Sequence, residues 1–184
     1  MNVKLLFLAG IAAFTLSACK TKDGISKKEK NALQEELLAH ENDSNLTFYD
    51  WNAGYAKAIR LNKILLVDVY TDWCYWCKVM DKKTYAVDDV IKQLNKDFVC
   101  VKFNPEKPND SLKLFDTYVD ARMLQSFLFD RRSSGYPTTS FWINPTIKEK
   151  LQVYAGYKAP DKFKAILSNM ITLRKPIETA TEEK

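Results

Sequence analysis

One histidine, His40, is all that the 184 residues contain, and this scarcity removes several chemistries. Hydrolysis by a cysteine–histidine pair and copper delivery through a histidine ligand both need an imidazole close to a thiol. His40 is distant in sequence from the paired cysteines and is expected to face solvent. Cysteine is sparse as well, with four residues. A zinc site around Cys74 and Cys77 would need further ligands, and only Cys100 and the distant His40 could assist, so no metal or other cofactor is expected. The chain also lacks a basic stripe with interleaved aromatics. Its net charge of +5 is dispersed, which speaks against nucleic-acid binding. No internal repeat is present.

The apolar run Leu5 to Leu16 follows Lys4 and is shorter than the about 20 residues that span a bilayer, so it reads as a cleaved export signal. Leu16-Ser17-Ala18-Cys19 resembles the bacterial lipobox, in which cleavage precedes a lipidated cysteine. Residues 1–18 are then a lipoprotein signal peptide, and Cys19 holds the mature chain to the lipid bilayer. The alternative is an ordinary signal peptide with an incidental cysteine. Losing Lys4 lowers the charge to +4. Lys20 after Cys19 resembles the outer-membrane sorting pattern, which implies a periplasmic protein on that membrane. Residues 19–45 read as a solvated tether containing a short amphipathic helix, with Leu33, Leu37 and Leu38 at helical spacing.

A hydrophobic content of 46% supports a globular domain, assigned to residues 46–175. Asp50 is placed to cap a helix through Trp51, Tyr55, Ala58 and Ile59. The run Ile64 to Tyr70 reads as a strand that feeds a helix beginning at Cys74-Tyr75-Trp76-Cys77. Residues three apart on a first helical turn share a face, which brings the two thiols within reach of a reversible disulfide. The helix N-terminus favours the thiolate. Asp88 to Asn95 then reads as a helix and Phe98 to Phe103 as an inner strand, with Cys100 a buried, inert thiol. Two prolines break residues 104–110, and the apolar residues from Leu112 to Phe127 suggest one or two helices. Thr138 to Ile143 and Lys150 to Tyr154 form an expected hairpin. Pro160 opens a last helix, expected to end at Pro176 before a flexible tail over residues 176–184.

Three separated features resemble the thioredoxin superfamily. They are Val67-Asp68-Val69-Tyr70-Thr71-Asp72-Trp73-Cys74-Tyr75-Trp76-Cys77-Lys78, then Gly135-Tyr136-Pro137-Thr138, then Gly156 ahead of the final helix. Within the superfamily, Trp73 to Met80 with Val90, Ile91 and Asn95 is similar to exported thioredoxin-like proteins and to the periplasmic domain of the bacterial transmembrane disulfide reductase. The implied fold is α/β, a thioredoxin-like central mixed β-sheet flanked by helices, with an inserted helical segment before the cis-proline loop. The Gly-Pro that ordinary thioredoxin carries between its cysteines is absent, which leaves the direction of electron flow open.

The resemblance implies a thiol–disulfide oxidoreductase. Cys74, at the exposed helix start, is the expected nucleophile, and Cys77, covered behind it, is the resolving thiol. Asp68 would accept the Cys77 proton; an edge-strand aspartate facing water is its alternative. Pro137 is expected to follow a cis bond and to present the Tyr136 backbone to an extended substrate. Tyr75 and Trp76 are candidate docking residues, while Trp73 is expected in the core. The implied partners are protein disulfide substrates and a membrane electron donor, with reduction as the favoured direction. An oxidase or isomerase, and a non-catalytic scaffold lipoprotein, stay open.

Overall fold

The computed structural model describes residues 26–41, 43–133, 135–147 and 151–182, so Cys19 and the expected leader lie outside the described residues. Its centre is strand β2 (Ile64–Val69), whose six residues are all buried. A strand covered on both faces reads as a continuous apolar run, which is why Ile64 to Val69 contains one polar residue only. On one side β2 pairs in parallel with β3 (Phe98–Phe103), which pairs in parallel with the short β1 (Phe48–Tyr49). On the other side it pairs antiparallel with β6 (Thr138–Trp142), followed by β7 (Leu151–Ala155). The result is a mixed five-stranded sheet in the order β1-β3-β2-β6-β7.

Alternation along β2 divides the core. Leu65, Val67 and Val69 face α2 (Trp51–Arg60) and α5 (Ala121–Phe129), packing with Tyr55, Ala58, Leu124, Leu128 and Trp142. Ile64 and Leu66 face α3 (Tyr75–Lys83), α4 (Asp88–Asp97) and α6 (Pro160–Glu182), packing with Met80, Leu94, Phe98, Phe141, Phe163 and Leu167. Asp68 shares this second face. Asp50 caps α2 as expected, its carboxylate accepting from the Ala53 N–H at 2.9 Å. Gly54 lets α2 lie directly on β3, because a Cβ there would come within 2.2 Å of Val101.

The secondary structure and its docking depart from expectation in three places. Residues 112–119 form a hairpin, β4 (Leu112–Leu114) and β5 (Thr117–Val119), where a helix was expected. Leu112 and Leu114 alternate inward about an exposed-side Lys113, a period of two that the apolar count concealed, and Phe115 turns the chain at φ 55°. Only the second half of the segment is helical: α5, capped by Asp120 on the Met123 N–H at 2.7 Å. At the C-terminus, α6 runs through Pro176 to Glu182 instead of stopping.

The third departure is α1 (Lys27–Glu41), which is docked on the domain and is no free tether. Glu36 accepts from Lys57 at 2.7 Å and also pairs with Arg60, which holds its carboxyl down at about 2. Leu33 and Leu37 pack against the core. His40 is buried rather than solvent-facing, with Nε2 2.9 Å from the Phe98 carbonyl oxygen. Burial pushes its pKa down against that hydrogen bond. Lys63, 3% exposed beside this junction, donates to the Asn95 carbonyl at 2.7 Å, and desolvation lowers it to about 8.

Candidate active site

The Cys-x-x-Cys segment sits where β2 ends. The Tyr70 N–H still follows the sheet, donating to the Phe103 carbonyl at 3.0 Å, and the chain then turns, with Cys74 N–H donating to the Thr71 carbonyl at 3.1 Å. Cys74 is the N-cap of α3: its Sγ accepts from the Cys77 N–H at 3.1 Å. This is the position where the free N–H groups of a helix end concentrate positive potential. Cys74 and Cys77 are joined as a disulfide with Cα atoms 5.4 Å apart.

Both cysteines are covered, at 4% and 2% exposure, so the expectation of an exposed Cys74 is corrected. Aromatic residues dominate the surface around them. Trp73 is 67% exposed, against the expectation that it packs in the core, and Tyr75 and Trp76 are exposed as well. Trp73 lies outside because its indole N–H is drawn to Glu106, at 2.9 Å, and its ring meets the edge of Tyr136 at 5.8 Å. Trp76 stacks on Tyr157 at 5.7 Å and meets Tyr75 edge-on at 5.5 Å.

The Tyr136–Pro137 bond is cis, as the resemblance implies. Pro137 is buried, and its carbonyl accepts from the Gly156 N–H at 2.7 Å, where Gly156 takes the positive φ of 77° that glycine tolerates. Tyr136 is half-buried, its hydroxyl accepting from Gln125 at 2.7 Å. Glu106, Gln125 and Tyr157 were not anticipated from sequence. Two of them come from the 104–134 segment, and their contacts depend on how that segment folds back.

Asp68 is 1% exposed on the central strand, which removes the edge-strand alternative. Its Oδ2 accepts from the Lys102 ammonium, and its Oδ1 has no hydrogen-bond partner among the described residues. Desolvation raises the Asp68 pKa, and the charge of Lys102 opposes that rise. Lys102 also pairs with Asp81. Sequence reasoning missed both Lys102 and Asp81, although Lys102 occupies the same alternation as the buried Phe98 and Cys100. Cys100 is a buried free thiol that burial pushes well above its ordinary value. Among the described residues, no three His, Cys, Asp or Glu side chains converge as metal ligands.

A covered disulfide at a helix N-cap, a cis-proline loop and a buried carboxyl on the same sheet face form the arrangement of a redox-type enzyme. The family model described as "Protein of unknown function, DUF255" (Thioredox_DsbH) matches residues 29–184. The chain belongs to this family. It is 34% identical over 97 residues to "Uncharacterized protein B0495.5" of Caenorhabditis elegans, a match covering 50% of this chain and 13% of that protein. The curated relatives it matches are thus far longer than the matched segment. Among solved structures, a thioredoxin from Thermus thermophilus superposes with a TM-score of 0.54 at 16% identity, covering 71% of this chain and 90% of the other. A structure titled "DsbH Oxidoreductase" gives 0.51 at 12% identity, covering 85% and 96%. These likenesses show the thioredoxin fold.

Proposed function

We propose that this protein is an exported, lipid-anchored thiol–disulfide oxidoreductase that reduces disulfides of exported proteins. The observation that carries the reading is the Cys74–Cys77 disulfide at the N-cap of α3, with Asp68 buried on the sheet face against which that helix packs. Export and anchoring through Cys19 rest on the leader sequence alone, and reduction over oxidation rests on the resemblance and on the absence of a histidine between the cysteines.

In the reduced protein the Cys77 N–H donates to the Cys74 thiolate, the helix N-terminus favours its charge, and Cys74 Sγ attacks one sulfur of a substrate disulfide. A mixed disulfide forms and the first substrate sulfur leaves as a thiolate. Asp68 Oδ1, which no donor among the described residues occupies, takes the Cys77 proton. The Cys77 thiolate then attacks Cys74 Sγ, which restores the Cys74–Cys77 bond and releases the second substrate thiolate. The substrate has gained two electrons, which a membrane dithiol donor returns to the protein. The aromatic surface of Tyr75 and Trp76, together with the Tyr136 backbone before Pro137, receives the substrate segment around its disulfide.

Insulin reduction with dithiothreitol as electron source tests the reading. The protein accelerates precipitation of the insulin B chain, and Cys74→Ser abolishes the acceleration. Equal rates with and without the protein, together with a pair that dithiothreitol leaves oxidised, would establish a structural disulfide instead.

A further inference from the structure

Lys102 is the meeting point of Asp68 and a second acid, Asp81, that the dithiol chemistry does not itself use. It leaves β3 on the face shared with Asp68, and its ammonium donates to Asp68 Oδ2 and to Asp81 Oδ1. The rings of Phe48, Tyr70 and Tyr85 stand around it with centroids at 4.9, 5.2 and 5.3 Å. Three π faces and two carboxylates fix the cation at one point between the two acids.

The two acids are not equivalent. The Asp68 side chain is 1% exposed, whereas that of Asp81 is 46% exposed. A cleft of about 350 Å³, with Phe48, Asp81, Tyr85 and Lys102 in its lining, brings solvent to Asp81 and Lys102 but has no Asp68 atom in its wall. Asp81 also lies four residues after Cys77 on α3, and residues at that spacing share a helix face. The helix that carries the resolving thiol therefore carries the acid that competes for Lys102. An ammonium devoted to one buried carboxyl would hold it as a carboxylate, and an ammonium shared with a second carboxylate does so less firmly.

We propose that Asp81 is a positioning residue for Asp68: by sharing the Lys102 ammonium, it keeps the buried carboxyl able to take up and release a proton. The consequence for catalysis rests on the proton role proposed above for Asp68, while the charge sharing is a property of the oxidised protein and stands apart from any activity. The groups facing Asp68 are Lys102 and Cys100 from β3, Asp81 from α3, Tyr85 beyond α3 and Thr139 from β6. Burial pushes Cys100 and Tyr85 upward, and Asp68 and Asp81 hold Lys102 up against its desolvation. With the cysteines joined, neither sulfur takes up or releases a proton at this point.

The test is the carbon-13 NMR titration of the Asp68 carboxyl in the whole oxidised chain, the signal being assigned by its loss in Asp68→Asn. Asp81→Asn gives Lys102 wholly to Asp68 and makes it about tenfold more acidic. Asp81→Glu restores the original midpoint, and Lys102→Met moves it upward. A midpoint that stays put in Asp81→Asn, or that moves equally in Asp81→Glu, overturns the proposal. A midpoint that moves while the pH profile of Cys77 resolution does not supports the charge sharing and overturns the proton role of Asp68.

Discussion

Replacing Lys102 with methionine removes the one cation among the described residues that faces Asp68 and keeps a stem of similar length. Asp68 is 1% exposed and already has an Oδ1 without a partner, so the variant leaves both of its oxygens unpaired. A carboxylate forced to remain ionised there would cost about 3–5 kcal/mol, the penalty for breaking a buried pair from one side. Taking up a proton limits the loss to that of a buried polar group short of hydrogen bonds, about 1–3 kcal/mol. The pH decides between these two costs. Burial holds the native Asp68 above its ordinary value of 3.8, and without Lys102 that elevation grows. An acid raised in this way keeps a proton in the native state that the unfolded chain has released. Stability therefore falls as pH rises from the unfolded value through the native one. Urea denaturation at pH 5 and at pH 8.5 measures the difference: Lys102→Met loses about 1–3 kcal/mol at the lower pH and about 3–5 kcal/mol at the higher. An equal loss at both would refute the reasoning, because it would mean that Asp68 is not the group left uncompensated.

The docking of α1 has its own signature. Glu36, lowered to about 2 by Arg60 and Lys57, adds stability that is present above its unfolded value near 4.5 and is lost as pH falls through 2. Its side chain is 32% exposed, so solvent screening reduces the contribution, and Glu36→Gln costs about 1 kcal/mol at pH 7, a cost that thermal denaturation shows vanishing only below pH 2. At the rim of the site, Trp76→Ala raises KM for insulin several-fold, because the ring supplies exposed apolar area stacked on Tyr157. The alkylation rate of reduced Cys74 stays unchanged in that variant, and a fall in that rate would show that the ring supports the thiol rather than the substrate.

The legible part of the fold was the part that repeats a short pattern. Ile64 to Val69 and Phe98 to Phe103 read as strands because central strands are apolar throughout, and Asp50 and Pro160 read as helix starts because each satisfies a helix end locally. The hairpin over 112–119 was hidden because three inward residues, Leu112, Leu114 and Val119, suit a helix as well as two short strands until the turn at Phe115 is known. Cys74, Cys77, Asp68 and Pro137 stand out in the sequence; the cis bond before Pro137 and the burial of Cys77 and Asp68 are as expected, whereas Cys74 is covered and not exposed. Lys102 and Asp81 did not stand out, because lysine and aspartate are ordinary surface residues until the register of β3 against β2 puts one beside Asp68. Trp73 was misread because a tryptophan beside a buried strand suits a core, and only the fold of residues 104–111 supplies Glu106 as the partner that holds it outside. His40 was misread for the converse reason: nothing local to α1 signals that the helix lies against Phe98.

The reduction potential of the Cys74–Cys77 pair, measured by equilibration with glutathione or dithiothreitol, bears most directly on the central claim. A thiol–disulfide reductase requires a value near that of thioredoxin, about −270 mV. A value near about −120 mV would contradict it and make the protein an oxidant.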